Sequence, residues 1–270
     1  MRLTLVPFLA VILISRFAPI PVGVTTLDTP FSTQASNPDP KPVVLELFTS
    51  EGCSSCPPAD ALLKKLDDAG SLDNVEIIAI EEHVDYWNRL GWTDPFSSSD
   101  WTERQQHYSQ TLRRDGVYTP QLVVNGHDEF VGSSERQLRE AIANAEKVPA
   151  ATLRFASVNL TSNSAELSIA LEGVQDQARS SELWLAVTER GLSSNVLRGE
   201  NQGRNLVHAA ILRSLTRVRM ASSANSDSAN ATKTIKLNPT WKRENLRFVV
   251  FLQEPKSLRI LGAASAFAPR

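Results

Sequence analysis

Cysteine is scarce in this chain, with two residues among 270. That excludes a scaffold held together by a framework of disulfides. Long apolar runs are lacking too. The stretch from Leu3 to Ile14 is shorter than the roughly 20 residues needed to cross a bilayer, Arg16 interrupts it, and no later stretch is long or apolar enough. Neither sign of charge dominates: 28 Lys and Arg face 30 Asp and Glu, a formal net charge of −2. No basic run is concentrated anywhere, so nucleic acid is not an expected partner. The 12 Gly and 15 Pro show no collagen-like period, and 41% apolar residues is too many for wholesale disorder. Internal repeats and nucleotide-binding glycine motifs are absent.

What is present has length for about two domains at about 150 residues each. Met1-Arg2 followed by a short apolar stretch reads as an export signal over residues 1–24. Residues 25–41, rich in Pro, Ser, Thr and Asn, read as a flexible leader. The expected location is therefore periplasmic or extracellular, with no stable membrane span after processing. An uncleaved anchor and a buried N-terminal element remain the alternatives.

From Pro42 the pattern becomes that of a folded domain. Val43-Val44-Leu45-Glu46-Leu47-Phe48 has the composition of a strand buried on both faces. Ala59, Leu62, Leu63 and Leu66 share one helix face, and Gly70 is placed to stop that helix. Val75 to Ile80 is a second strand, completing a βαβ unit. A second helix starts after Ser97-Ser98-Ser99 and runs to Arg114. Gln121 to Val124 and Glu129 to Val131 flank Asn125-Gly126, a hairpin signal. Ser134 and Gln137 form a capping box for a closing helix to about Glu146. The order β-α-β-α-β-β-α is that of a thioredoxin fold, expected over residues 42–147. Val148-Pro149 marks the boundary. The short apolar or alternating runs of residues 150–270 predict an all-β domain, an antiparallel sandwich, with Ala221 to Thr232 as a polar loop. The expected fold class is thus an α/β thioredoxin-like domain followed by a separate all-β domain.

Cys53 and Cys56 stand three positions apart where the first strand passes into the first helix. Unpaired N–H groups and the positive end of the helix dipole favour thiolate there. Cys53 is the expected attacking thiol, and Cys56 the resolving thiol that attacks the mixed disulfide. An inert disulfide in so small a loop would restrict the unfolded chain little. In this fold a cis proline before the hairpin packs beside the dithiol, which draws attention to Pro120. Thr119 would offer its backbone to an incoming peptide. Glu46, a carboxylate in an apolar strand, could accept the proton of Cys56, or could be an edge or salt-bridged residue. Gly52 stands where thioredoxin carries an aromatic residue and should open the surface beside Cys53. Trp87, Trp92 and Trp101 could wall a peptide site or pack as core.

Other chemistries use the same residues. Cys53 and Cys56 with His83, Asp85, His107 or His127 could bind Cu(I) or zinc, His83 being the foremost histidine. Arg198, Glu200, Asn201 and Arg204 gather charge in one loop, either a solvated connection or a ligand-contacting one.

The segment from Phe48 to Asp60, with its Gly52-Cys53-Ser54-Ser55-Cys56-Pro57-Pro58 centre, resembles the active-site segment of a thioredoxin-like family of secreted bacterial proteins of unassigned function. His83-Val84-Asp85-Tyr86-Trp87, Trp92, Tyr118-Thr119-Pro120-Gln121 and the later Arg198 to Arg204 resemble further motifs of it. The resemblance implies the fold and a dithiol–disulfide site, with no substrate attached. The expected function is an exported thiol–disulfide oxidoreductase that needs no cofactor and acts on protein or small-molecule thiols and disulfides. The alternatives are a copper- or zinc-binding module without turnover and a non-catalytic interaction protein.

Overall fold

The apolar, β-branched run after Pro42 forms β1 (Lys41–Thr49), whose residues from Val43 onward are all buried. In the computed structural model, residues 40–145, 151–173, 180–222 and 228–269 are described. The expected signal, nearly all of the leader and the boundary at Val148-Pro149 lie outside them. α1 (Pro57–Ala69) follows β1. Pro57 and Pro58 fill its first turn, where a missing N–H removes no helical bond. Gly70 ends it in the left-handed region, φ 69°, with its N–H returned to Leu66 O. The short β2 (Ser71–Leu72) leads into β3 (Val75–His83), which pairs in parallel with β1 from Lys41↔Val75 to Thr49↔His83.

α2 (Ser99–Thr111) begins behind Ser98, whose hydroxyl accepts the Asp100 N–H, and stops before the expected Arg114. β4 (Gln121–Val124) pairs antiparallel with β1 and turns through Asn125 and Gly126, at φ 45° and 69°, into β5 (Asp128–Val131). α3 (Glu135–Ala145) follows.

Among the described residues the second half has no α-helix. Its strands are β6 (Thr152–Leu160), β7 (Ser164–Glu172), β8 (Glu182–Arg190), β9 (Ser193–Asn195), β10 (Asn205–Val207), β11 (Ala210–Val218), β12 (Ala221–Ser222), β13 (Ser228–Lys236), β14 (Leu246–Gln253) and β15 (Ile260–Phe267). The stretch expected as a polar loop thus contains most of β13. Its inward residues, Ala229 and Ala231, are too small to read as an apolar alternation.

The expected fold class is wrong. An α/β thioredoxin-like domain with a separate all-β domain behind it does not form. Nine of the described strands build instead one large mixed sheet, in the order β15-β14-β8-β11-β3-β1-β4-β5 with β2 against β3, and β9 and β10 pair separately. The join is the parallel contact of β11 with β3 at Ile211↔Glu81. The physical reason lies at an edge. Alone, β3 would present unpaired backbone groups on its outer side, and β11 satisfies some of them. A run of apolar residues states how a strand is buried but not which edge it joins.

One face of this sheet carries α1 and α3, through Leu45, Leu47, Leu63, Ile77, Leu138 and Ile142. A four-stranded sheet, β12-β13-β7-β6, packs against β8 and β14 through Leu167, Ile169, Leu185, Val187, Phe248 and Val250. The opposite face of the large sheet, with Val44, Ile78, Val249 and Phe251, receives Trp101 of α2. Every residue of β14 is buried, as a central strand with both faces covered requires.

Candidate functional site

Beyond β1 the chain turns tightly. The Cys53 N–H donates to Ser50 O at 3.1 Å, and the Cys56 N–H to Cys53 O at 3.2 Å. Cys53 and Cys56 form a disulfide, with Cα atoms 5.4 Å apart. Cys56 is already helical and caps α1. Ser54 and Ser55, between the cysteines, are exposed, whereas both cysteines are 0% accessible. The turn reaches the surface but its sulfurs do not.

Two segments hold the turn down. Asn201, in the loop between β9 and β10, donates from Nδ2 to the carbonyls of Glu51 and Cys53, both at 2.9 Å. Its neighbour Glu200 accepts the Ser54 N–H at 3.0 Å. From the segment after β3, Trp92 donates its indole N–H to Glu51 Oε2 at 2.8 Å, and Trp87 donates to Thr119 Oγ1 at 2.8 Å. Gly52 does not open the surface as expected. It is buried, and a Cβ there would stand 3.0 Å from Trp87 Cβ, so the tryptophan occupies the space. The charged loop of the sequence reading is a clasp, with Asn201 fully buried. Trp101 belongs to the core, while Trp87 and Trp92 line the turn.

Thr119-Pro120 is a cis peptide and Pro120 is buried. A Cβ on Gly132 would approach Pro120, Ala59 and Leu47 together, which puts this proline beside the start of α1. Glu46 sits elsewhere. Leu45 and Leu47 face α1, so alternation turns Glu46 to the other side of the sheet. There its carboxylate accepts from Arg104 Nε at 2.7 Å and from the Tyr108 hydroxyl at 2.8 Å. Glu82 is buried beside this pair. Burial drives its carboxyl well above the usual range despite Arg104, and the Glu46 charge adds to the rise.

A carboxyl that sequence reasoning passed over stands on the helix that Cys56 caps. Asp60 stands four residues after Cys56, on the same helix face. It accepts the Thr49 hydroxyl at 2.6 Å. Burial first, and the charge of Glu81 second, push its pKa up to about 7. The signal was an acid i+4 from the second cysteine.

Beneath Glu51 runs a buried chain of carboxylates and imidazoles. His83 Nδ1 lies 2.7 Å from Asp94 Oδ2, and its Nε2 3.1 Å from Glu81 Oε1. His208 Nδ1 lies 2.8 Å from that same oxygen, and its Nε2 3.0 Å from Glu51 Oε1. Burial alone would lower both histidines. Asp94 and Glu81 together outweigh it and hold His83 well above its ordinary value, and Glu81 with Glu51 brings His208 to about 9. Burial would raise Glu81, but the two histidines pull it down to about 2. His83 therefore answers to carboxylates. His127 and Asp85 have other partners, Asp128 and Thr102. A cavity of about 910 Å³ opens between the start of β1, β6 and β15, and no cysteine lines it.

Fold and site together define a mixed-sheet protein with a Cys-x-x-Cys disulfide at a helix entrance. The chain belongs to the family described as a protein of unknown function (DUF1223), which matches residues 44–253. No curated protein matches it. A solved structure from Agrobacterium tumefaciens is similar at 29% identity, covering 84% of this chain and 95% of that one, with a TM-score of 0.61. HBP35 of Porphyromonas gingivalis is similar in fold, at 15% identity and a TM-score of 0.61, covering 84% of this chain and 75% of that one.

Proposed function

We propose that this protein is an exported thiol–disulfide oxidoreductase whose dithiol chemistry is related to that of thioredoxin-like proteins. One observation carries the reading: the Cys53–Cys56 disulfide sits at the entrance of α1 with a proton-holding carboxyl, Asp60, one turn further on. A partner thiolate attacks Cys53 Sγ, the bond to Cys56 breaks, and Cys56 leaves as a thiolate that takes the proton held by Asp60. A second partner thiolate attacks the mixed disulfide and releases the Cys53 thiolate. Two partner thiols become one disulfide while the cysteine pair is reduced, and the thiol protons pass to the cysteines. In reverse, Cys53 attacks a partner disulfide and Cys56 resolves it. Thr119 and Pro120 form the substrate side. The proton role expected of Glu46 passes to Asp60 in this proposal, because Glu46 is bound to Arg104 across the sheet. Leu90 and Leu197 are exposed, one on each of the two segments that clasp the turn, which favours a protein partner. The signal-like Met1-Arg2 and the apolar residues after it support the exported location.

A permanently closed structural bridge is the second reading, favoured by the complete burial of both cysteines. Incubation of the native protein with graded ratios of reduced and oxidised glutathione separates the two. The oxidoreductase gives a reversible redox curve, and Cys56→Ser traps a mixed disulfide on Cys53 that mass spectrometry detects. A bridge that opens only under denaturing conditions, with no trapped species, refutes the proposal.

A further inference from the structure

The buried histidines raise a question of protons. Each of the four ring nitrogens of His83 and His208 lies 2.7–3.1 Å from a carboxylate oxygen. If all four contacts are hydrogen bonds, each nitrogen must carry a proton, since an ionised carboxylate only accepts. Both rings are then imidazolium ions, with centroids 4.7 Å apart and almost no solvent. Like charges so close and so buried oppose one another.

A single divalent cation resolves the conflict. Glu81, His83 and His208 each offer one donor atom, and the three atoms lie within 4.8 Å of one another. Two of the protons, those shared with Glu81 Oε1, can be replaced by one doubly charged ion. Three carboxylates (Glu51, Glu81, Asp94) and two imidazolium ions sum to −1; the same carboxylates, two neutral imidazoles and one divalent ion also sum to −1. The charge seen by the surroundings is unchanged, and the repulsion between the rings disappears.

The remaining contacts have the form that metal sites use. A ligating histidine commonly gives its other ring N–H to a carboxylate, which sets the tautomer and orients the ring. Here Asp94 stands behind Nδ1 of His83 and Glu51 behind Nε2 of His208. The backing groups are themselves held: Asp94 Oδ2 also accepts the Glu51 N–H at 2.8 Å, and Glu51 Oε2 accepts the Trp92 indole. The other oxygen of Glu81 accepts the Ala209 N–H at 2.6 Å. Phe96 packs edge-on to both rings, with centroids 5.5 and 5.3 Å away, and supplies an apolar wall.

We infer that Glu81, His83 and His208 form a buried site for a divalent cation of the zinc class, with Asp94 and Glu51 orienting the two imidazoles. Two nitrogens and one carboxylate oxygen are a donor set that suits zinc. Such an ion would tie β3 to the segment before β11, the same join that makes one sheet of both halves. The site uses neither cysteine and stands independently of the proposed oxidoreductase activity.

The test uses the full chain. Protein stripped by chelator during partial unfolding and then refolded is titrated with zinc sulfate, and metal is counted by mass spectrometry. One zinc per chain is expected, with a raised Tm, and it is retained in the Cys53→Ser/Cys56→Ser double variant. Glu51→Gln should weaken binding by about 10–100-fold, the range for loss of a group that orients a ligating histidine. His208→Ala should remove it. Should His208→Ala fail to fold, X-ray absorption on the zinc-loaded wild type decides, because only nitrogen and oxygen scatterers are expected. Sulfur in the shell, loss of zinc in the double cysteine variant, or no bound zinc at micromolar free metal overturns the inference.

Discussion

A carboxyl buried four residues beyond Cys56 takes its raised pKa from desolvation first and from the charge of Glu81 second; Thr49, His83 and His208 pull the other way. The consequence for stability has a definite sign. The native state holds the Asp60 proton up to about pH 7, whereas the unfolded chain releases it near 3.8. Where the native state binds more protons, stability falls as pH rises, so between about pH 4 and 7 this residue destabilises the fold progressively. Asp60→Asn should therefore gain on the wild type across that window, by about 1.4 kcal/mol for each pKa unit separating the two states. Urea denaturation of both proteins at pH 5 and pH 8, with chelator present, measures it. A gap that does not change with pH means that the Asp60 carboxyl is not raised. The sequence shows this aspartate plainly, but an acid in the first turn of a helix is ordinarily exposed and favourable to the dipole. Its burial comes from packing against Thr49 of β1, which no local pattern reports.

The loop from Val196 to Arg204 shows how an element with no regular structure acquires a task. Its composition is charged, as a solvated connection would be, yet Asn201 points inward and satisfies two carbonyls of the cysteine turn. Cys53 O keeps the Cys56 N–H when that side chain is lost, but the buried Glu51 carbonyl is left without its donor, at about 1–3 kcal/mol. Since about 1.4 kcal/mol is tenfold in an equilibrium, Asn201→Ala should speed reduction of the Cys53–Cys56 disulfide by dithiothreitol about tenfold. Timed alkylation of the native protein and mass spectrometry give the rate. No acceleration would mean that the loop does not control access to the sulfurs. Other elements were legible. The first strand, the three helices and the Asn-Gly hairpin stand where apolar spacing, proline and glycine put them. The end of α2 was read too late, because Arg114 continues the polar pattern although Arg113 has already left the helix at φ 56°.

Across the molecule, Asp67 of α1 is the centre of a buried ionic link. It accepts from Arg190 Nε of β8 at 2.7 Å and from Arg247 Nη1 of β14 at 3.2 Å, and Arg247 reaches on to the Ile77 carbonyl of β3. Burial depresses the Arg247 guanidinium and Asp67 opposes that fall. Asp67→Ala would leave Arg247 with its 3.4 Å contact to Glu76, so the loss should be at most the about 3–5 kcal/mol of a broken buried pair. Because the link joins the two halves of the chain through one sheet, the loss should be shared. Hydrogen exchange is expected to show β1 and β14 losing protection together. Protection lost in β1 but unchanged in β14 would mean that the halves unfold as separate units.

Local periodicity, turn residues and the cysteine spacing are properties of neighbours in the chain, so the sequence by itself determined the βαβ start, the hairpin, the β-rich second half and the dithiol at a helix entrance. Which edges meet is a different kind of information. The pairing of β11 with β3, the approach of His208 to Glu81 from 127 positions away and the descent of Asn201 onto the cysteine turn all depend on surfaces that exist only after the elements have packed. Strand runs of similar apolar character are compatible with many edges. Only the tertiary structure selects the one that leaves the backbone paired and the buried charges partnered.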